Sequence, residues 1–388
     1  MSSPVTDRPG LLIRDPFHYS DATLIIPPAL VECLRQFDGE STELDLRAAL
    51  VRLTGSLEVG DLVEHLVETL SGSGFLEDEQ FFTLRLQRHA AFREAETREP
   101  THAGSAYPNE IAELTVVMNQ YTDGLRAPLS NLCGIAAPHV SPAGGWRCYQ
   151  AAYGALGEEY RDRTFVVIGT SHYGASEHFG LTRKRYVTPF GEAAADLPIV
   201  DWLAANGGPA VLMEDYCHAV EHSIEFQVLF LQHQFGADIR VVPILCGSFS
   251  QSILNRQEPE QNEGVERFLG ALGELAACEG RRLMWVLGID LAHVGRRYGD
   301  SFSAHADQGL MQKVAERDRQ RIDRVIAGDA GGFWGLIQEN QDDLKWCGAA
   351  PLYTFLRAAP GVRGTLLRYE QWNIDDDSVV TFGGLGFQ

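Results

Sequence analysis

Residues 132–149 read LCGIAAPHVSPAGGWRCY. An apolar run, Leu132 to Ala137, stops at Pro138 and exposes His139. The chain then passes through Ser141, Pro142, Gly144 and Gly145 into an amphipathic segment from Arg147. This is the grammar of a buried strand, a glycine-bearing turn and a helix, with one imidazole at the carboxyl end of the strand. In open α/β sheets ligands sit at that edge.

The same grammar continues outward. Apolar strand-like runs at 132–137, 164–169, 239–245, 283–289, 365–369 and 379–383 alternate with helical patterns at about 147–160, 198–206, 223–235, 263–278, 304–326 and 347–358. The alternation predicts an α/β domain over residues 96–388, with a central, mostly parallel sheet flanked by helices on both faces. GxGxxG and GxxxxGK[ST] are absent, so nothing points to a dinucleotide or a nucleoside triphosphate.

Residues 1–95 read differently. Short apolar runs at Leu11–Ile13 and Leu24–Ile26 precede three helical patterns, Ala29–Phe37, Leu44–Leu53 and Leu62–Leu70. Ser41 and Thr42 are N-cap candidates for the second. Phe75–Leu76 and Phe81–Phe82 predict a wing or hairpin, and residues 83–103, rich in Arg and Glu, a partly helical linker. Three helices with β pieces resemble a winged-helix module. Its many acids (Glu32, Asp38, Glu40, Glu43 and Asp45 among them) argue against DNA, leaving a partner-docking module or an inert cap.

Lys and Arg total 32 against 53 Asp and Glu, a net charge of -21, which repels phosphate backbones and disfavours nucleic acid. Hydrophobic residues make up 45% and charged ones 22%, enough to build a sizeable core. The opening MSSPVTDRPG lacks the basic and apolar regions of a secretory signal. No apolar run approaches the ~20 residues of a membrane span. Seven scattered cysteines without a CxxC pair suit a reducing compartment. A cytoplasmic protein with no membrane association is expected.

Chemistry-bearing residues gather at the strand ends. His139 follows the first quoted strand, His172 follows TFVVIGTS, and Asp290 and His293 follow LMWVLGI. If these strands are parallel neighbours, the three imidazoles converge on one rim. In Glu221-His222-Ser223-Ile224-Glu225, His222 and Glu225 are three apart and would share a helical face. Cys347 stands at a helix start, where the macrodipole would lower its pKa. Neutral imidazoles and a thiolate are ligands for Zn, Fe or Cu, and three protein ligands with an open position make a catalytic site.

The ordered pieces AGSAYP (103–108), APH (137–139), GTSHY (169–173), EHSIE (221–225), VPIL (242–245), Asp290…His293 with Gly295, and Cys347-Gly348 followed by Pro351 resemble the Memo family, protein B of the AmmeMemoRadiSam system. The resemblance spans about residues 100–388, and the amino-terminal module resembles the winged-helix extension of some bacterial members. It implies a fold similar to class III extradiol dioxygenases and a divalent or redox metal ion, iron or copper, with zinc as the third option. Carried over, the ligands would be His139, His172 and Cys347. His293 would be an acid/base residue oriented by Asp290, and His222 and Glu225 would line the pocket. Radical-SAM and AMMECR1-like proteins would be partners. The chain departs from the family at Val140-Ser141-Pro142, where a Gly-Tyr pair is common. It departs again at Ala349-Ala350, where a His or Arg is often found. Both departures bear on the substrate.

The first functional reading is a metal-dependent oxidoreductase. The alternative is a non-catalytic protein that binds a peptide or partner alongside a radical-SAM enzyme. A zinc hydrolase with Glu225 as base is a third. Cys347 is read either as a ligand or as a redox thiol.

Overall fold

A computed structural model describes residues 9–124 and 127–388, so residues 1–8, part of the stretch read for a secretory signal, lie outside it. The chain divides into two compact units, Met1–Glu94 and Ala95–Gln388. None of the helices among the described residues is long and apolar enough to cross a membrane.

The first unit opens with an antiparallel hairpin, β1 (Leu11–Arg14) and β2 (Thr23–Ile26), in which Leu11 faces Ile26. Pro27 and Pro28 then start a 3-10 helix, Pro28–Gln36. Helix α1 (Glu43–Thr54) is fixed at both ends. Thr42 and Asp45 form a reciprocal capping box, and Gly55 closes it with left-handed backbone at φ 72°. Helices α2 (Gly60–Gly72) and α3 (Glu79–Glu94) follow. Leu46, Leu50, Val63, Leu66 and Leu70 form the unit's core. The wing expected at 75–82 does not form: residues 75–78 make a turn and residues 79–82 open α3. Asp78 accepts the Phe81 N–H at 3.1 Å and its carbonyl accepts the Phe82 N–H, so a cap overrides the strand propensity of two phenylalanines.

The second unit carries a twelve-stranded sheet. In chain order come β3 (Thr97–Arg98), α4 (Ile111–Thr122), β4 (Gly134–Ala137), α5 (Pro142–Gly154), β5 (Thr164–Thr170), β6 (Phe179–Leu181), β7 (Arg185–Thr188) and β8 (Gly191–Ala195). Next are α6 (Leu197–Asn206), β9 (Val211–Met213), α7 (Cys217–Val220), α8 (Glu225–Phe235), β10 (Arg240–Cys246), α9 (Ser250–Asn255) and α10 (Glu263–Glu279). The chain ends with β11 (Leu283–Gly288), β12 (His293–Gly295), α11 (Leu310–Ile326), α12 (Ala330–Gln338), α13 (Ala349–Ala358) and the long hairpin β13 (Gly364–Asp375) and β14 (Ser378–Phe387).

The strand order is β12-β14-β4-β11-β5-β10-β8-β7-β3, with β13 on β14 and β6 and β9 beside β10. The five middle strands, β4, β11, β5, β10 and β8, run parallel; β14 on β4 and β7 on β8 are antiparallel, and β3 joins β7 in parallel. Along β5, Val166 and Ile168 enter one apolar cluster while Phe165 and Val167 enter another. Both faces are therefore covered, which is why these strands read as unbroken apolar runs. β4, β11 and β5 are adjacent, and their carboxyl ends share one rim.

Candidate metal centre

Each rim histidine is fixed before its ring is considered. Pro138 ends β4, and the next two amides, of His139 and Val140, both donate to Asp290 Oδ1, at 3.0 and 3.2 Å. His139 is buried, and its Nδ1 bonds the Gly288 carbonyl at 3.0 Å. At the end of β5, the His172 amide donates to Glu221 Oε2 at 2.8 Å. Its Nδ1 lies 3.1 Å from both Glu221 oxygens.

His222 sits in the turn ahead of α8. Its amide donates to Glu221 Oε1 at 2.9 Å and its Nδ1 is 3.1 Å from the same oxygen. That turn lies across the ends of β5 and β11. Ser223 Oγ donates to the Thr170 carbonyl, and a Cβ at Gly169 or Gly288 would collide with Ser223 atoms.

Three imidazoles thus converge. Ring centroids of His139–His172, His139–His222 and His172–His222 are 4.9, 5.1 and 5.1 Å apart, and one ligand atom from each lies within 4.8 Å of the others. With every Nδ1 engaged elsewhere, the Nε2 lone pairs are left for the centre, the usual support given to a metal-binding histidine. Cys347 Sγ is 3.3 Å from His139 Nε2 and 3.6 Å from the Asp290 carbonyl. A cavity of about 370 Å³ opens beside it, lined in part by Ser171, His172, Phe249, Trp346 and Cys347.

Two of the three rings are held neutral, and a fixed anion draws the third toward its charged form. Burial, reinforced by its two histidine neighbours, holds His139 well below its ordinary pKa. Burial opposes a charge on His172, but Glu221 and the Cys347 sulfur outweigh it and raise the imidazole. Burial would raise Glu221, yet His172 and His222 hold it well below the carboxylate range. Asp290, desolvated and only partly compensated by the amides of His139 and Val140, is pushed up to about 7.

The family model for "Memo-like protein" matches residues 98–386. The chain belongs to the Memo family. A MEMO1 family protein of Aquifex aeolicus is 25% identical over 380 residues, 97% of this chain and 95% of that one. A second from Thermococcus kodakarensis is 29% identical over 283 residues, covering 70% and 91%. A crystal structure of an uncharacterized Escherichia coli K12 protein covers 66% of this chain and 99% of its own at 15% identity and TM-score 0.43. The Aquifex Memo protein is matched across both units, whereas the Thermococcus match is about the size of the second unit alone.

Within this Memo domain the site residues fall into three groups. His139, His172 and His222 form the cluster, and Cys347 touches it; His222, placed in the lining by the sequence, stands among the candidate ligands. His293 is close enough for His172 to bias its titration, and burial lowers it to about 4.

The remaining expectations need correction. Asp290 does not orient His293: its carboxylate holds the 139–140 amides, while His293 Nδ1 bonds the Leu291 and Lys345 carbonyls, each at 3.0 Å. Glu225 does not share a helical face with His222, because α8 starts at Glu225. Its carboxylate is taken by Arg98, Tyr107 and His102, which removes it as a general base. The Cys347 thiol is raised rather than lowered. Burial outweighs the helix start, although the nearby His172 pulls the other way.

Glu221, Arg98 and His102 were not singled out. Glu221 lay inside the quoted EHSIE motif. Arg98 carried no local signal, because its partners are distant in sequence.

Proposed function

We propose that this Memo protein is a metal-dependent oxidoreductase, with iron or copper held by His139, His172 and His222 and with Cys347 as a further donor. The convergence of three imidazoles, each with Nδ1 occupied and its remaining nitrogen turned inward, carries the reading. Such a donor set fits a divalent first-row metal, and the thiol extends it to softer ions, zinc included. The bound ion would supply Lewis acidity and a redox couple.

The chain's own residues do the rest. Glu221 fixes the rings of His172 and His222 and supplies a negative charge against the cation. Asp290 anchors the backbone that presents His139. His293, uncharged at neutral pH with Nδ1–H spent on two carbonyls, offers Nε2 to take a proton from a hydroxyl-bearing substrate. The buried wall of Phe249 and Trp346 keeps water from one side.

The test is anaerobic loading with Fe(II), then nitric oxide binding followed by electron paramagnetic resonance, and oxygen uptake with a panel of diphenols. A nitrosyl signal that competes with substrate, and uptake lost in His293→Gln, support the reading. Loading with zinc alone and no oxygen uptake overturn it.

A further inference from the structure

Behind His222 lies a buried network that the functional reading does not use. Arg98 is 1% exposed. Its Nη2 donates to the Glu221 carbonyl at 2.7 Å, its Nε to the His218 carbonyl at 2.7 Å, and its Nη1 to the Glu99 carbonyl at 2.9 Å and to the Glu225 carboxylate. Glu225 also accepts the His102 amide at 3.1 Å and His102 Nδ1 at 2.9 Å, and the Tyr107 hydroxyl donates to it. The His102 ring in turn meets the His222 ring edge-on, centroids 5.6 Å apart.

One guanidinium therefore grips the main chain of the residue whose carboxylate aligns His172 and His222. Through Glu225 it also fixes the ring that walls His222. It arrives on a two-residue edge strand, β3, where Arg98 pairs with Tyr186 and lies over that ring at 5.2 Å.

A buried ion pair is weak evidence for stability, since a well-packed apolar pair of similar volume folds as well or better. What an apolar pair cannot do is hold three carbonyls and a carboxylate in fixed directions, which a planar five-donor fork does and a lysine does not. We propose that Arg98 is a positioning residue of the metal centre, setting the Glu221 main chain and the His102–Glu225 wall so that His172 and His222 present one fixed orientation. This rests on the metal-site reading above.

The test uses the full chain: wild type, Arg98→Lys, Arg98→Met, and the double variant Arg98→Met with Glu225→Gln. Each is measured for urea stability, for Fe(II) and Zn(II) affinity by chelator competition, and for the absorption spectrum of its Co(II) form. Arg98→Met alone strands the Glu225 charge and loses stability; the double variant, with both charges removed, regains it. The proposal expects the double variant to bind metal about tenfold or more weakly even so, the usual effect of removing an outer-shell partner. It also expects displaced Co(II) bands and an intermediate loss in Arg98→Lys.

A double variant with wild-type affinity and spectrum overturns it. If that variant does not fold, a folded Arg98→Lys with unchanged affinity and spectrum overturns it equally, and a weakened one supports it. Wild type that takes up no metal overturns the functional reading itself, and this inference with it.

Discussion

Replacing Glu221 by Gln preserves length and shape but removes one of two oxygens that are both fully used. Oε1 accepts the amides of His222 and Ser223 at 2.9 and 3.3 Å and faces Nδ1 of His222 at 3.1 Å. Oε2 accepts the His172 amide at 2.8 Å, and His172 Nδ1 lies 3.1 Å from either oxygen. Whichever way the amide is turned, its NH2 group meets N–H donors in a site where the Glu221 side chain is 1% exposed. Leaving a buried donor without an acceptor costs about 1–3 kcal/mol, so a urea midpoint should fall by that equivalent. The larger effect falls on the metal. With one oxygen replaced by an NH2 group, His172 and His222 are no longer both held firmly as the Nδ1–H tautomer, and losing such a partner costs about 10–100-fold in affinity, or about 1.4–2.7 kcal/mol. Chelator competition on the folded variant measures this. Glu221→Gln with wild-type metal affinity and stability would refute the argument that one carboxylate orients both rings.

Three further outcomes follow from the same structure. Gly288→Ala would bring a Cβ against the Ser223 carbonyl oxygen inside the 3.0 Å that real Cβ atoms respect. The His222 turn must shift, so about 1–3 kcal/mol of stability and tight metal binding should go together; wild-type values of both would contradict it. Glu225, held at about 2 against an ordinary 4.5 because Arg98 and His102 outweigh its burial, stabilises the fold above pH 4.5 and loses that contribution as pH falls toward 2. The stability gap between wild type and Glu225→Gln should therefore narrow by about 3 kcal/mol on acidification, read from urea midpoints across that window. A gap independent of pH would contradict this. Cys347→Ser should keep a histidine-held metal while losing preference for Cu(I) over Fe(II), since a hydroxyl is a harder donor than a thiolate; unchanged relative affinities would remove the sulfur from the donor set.

The sheet and its rim were legible because burial on both faces leaves a clear trace. β5 and β11 read as apolar runs, and proline or a polar cluster marks where each strand meets the rim. Two strands paired with β10 were missed for the converse reason: β8, GEAAA, carries no β-branched or aromatic residue, and Phe179–Leu181 is too short to show a period. His222 was misplaced because a helical period was extended across a turn. Arg98 draws Glu225 away from the cluster over a separation of 127 residues, which no local pattern encodes. The wing failed at Asp78, where one cap outweighed two phenylalanines. At Cys347 the local rule, a lowered thiol at a helix start, was overridden by burial that only tertiary packing creates.

Metal content of anaerobically purified wild type, set beside His139→Ala, His172→Ala and His222→Ala, tests the central claim most directly. Stoichiometric iron or copper is expected in wild type, and its loss from each folded variant. Wild type that holds no metal after reconstitution with iron, copper and zinc in turn would contradict it.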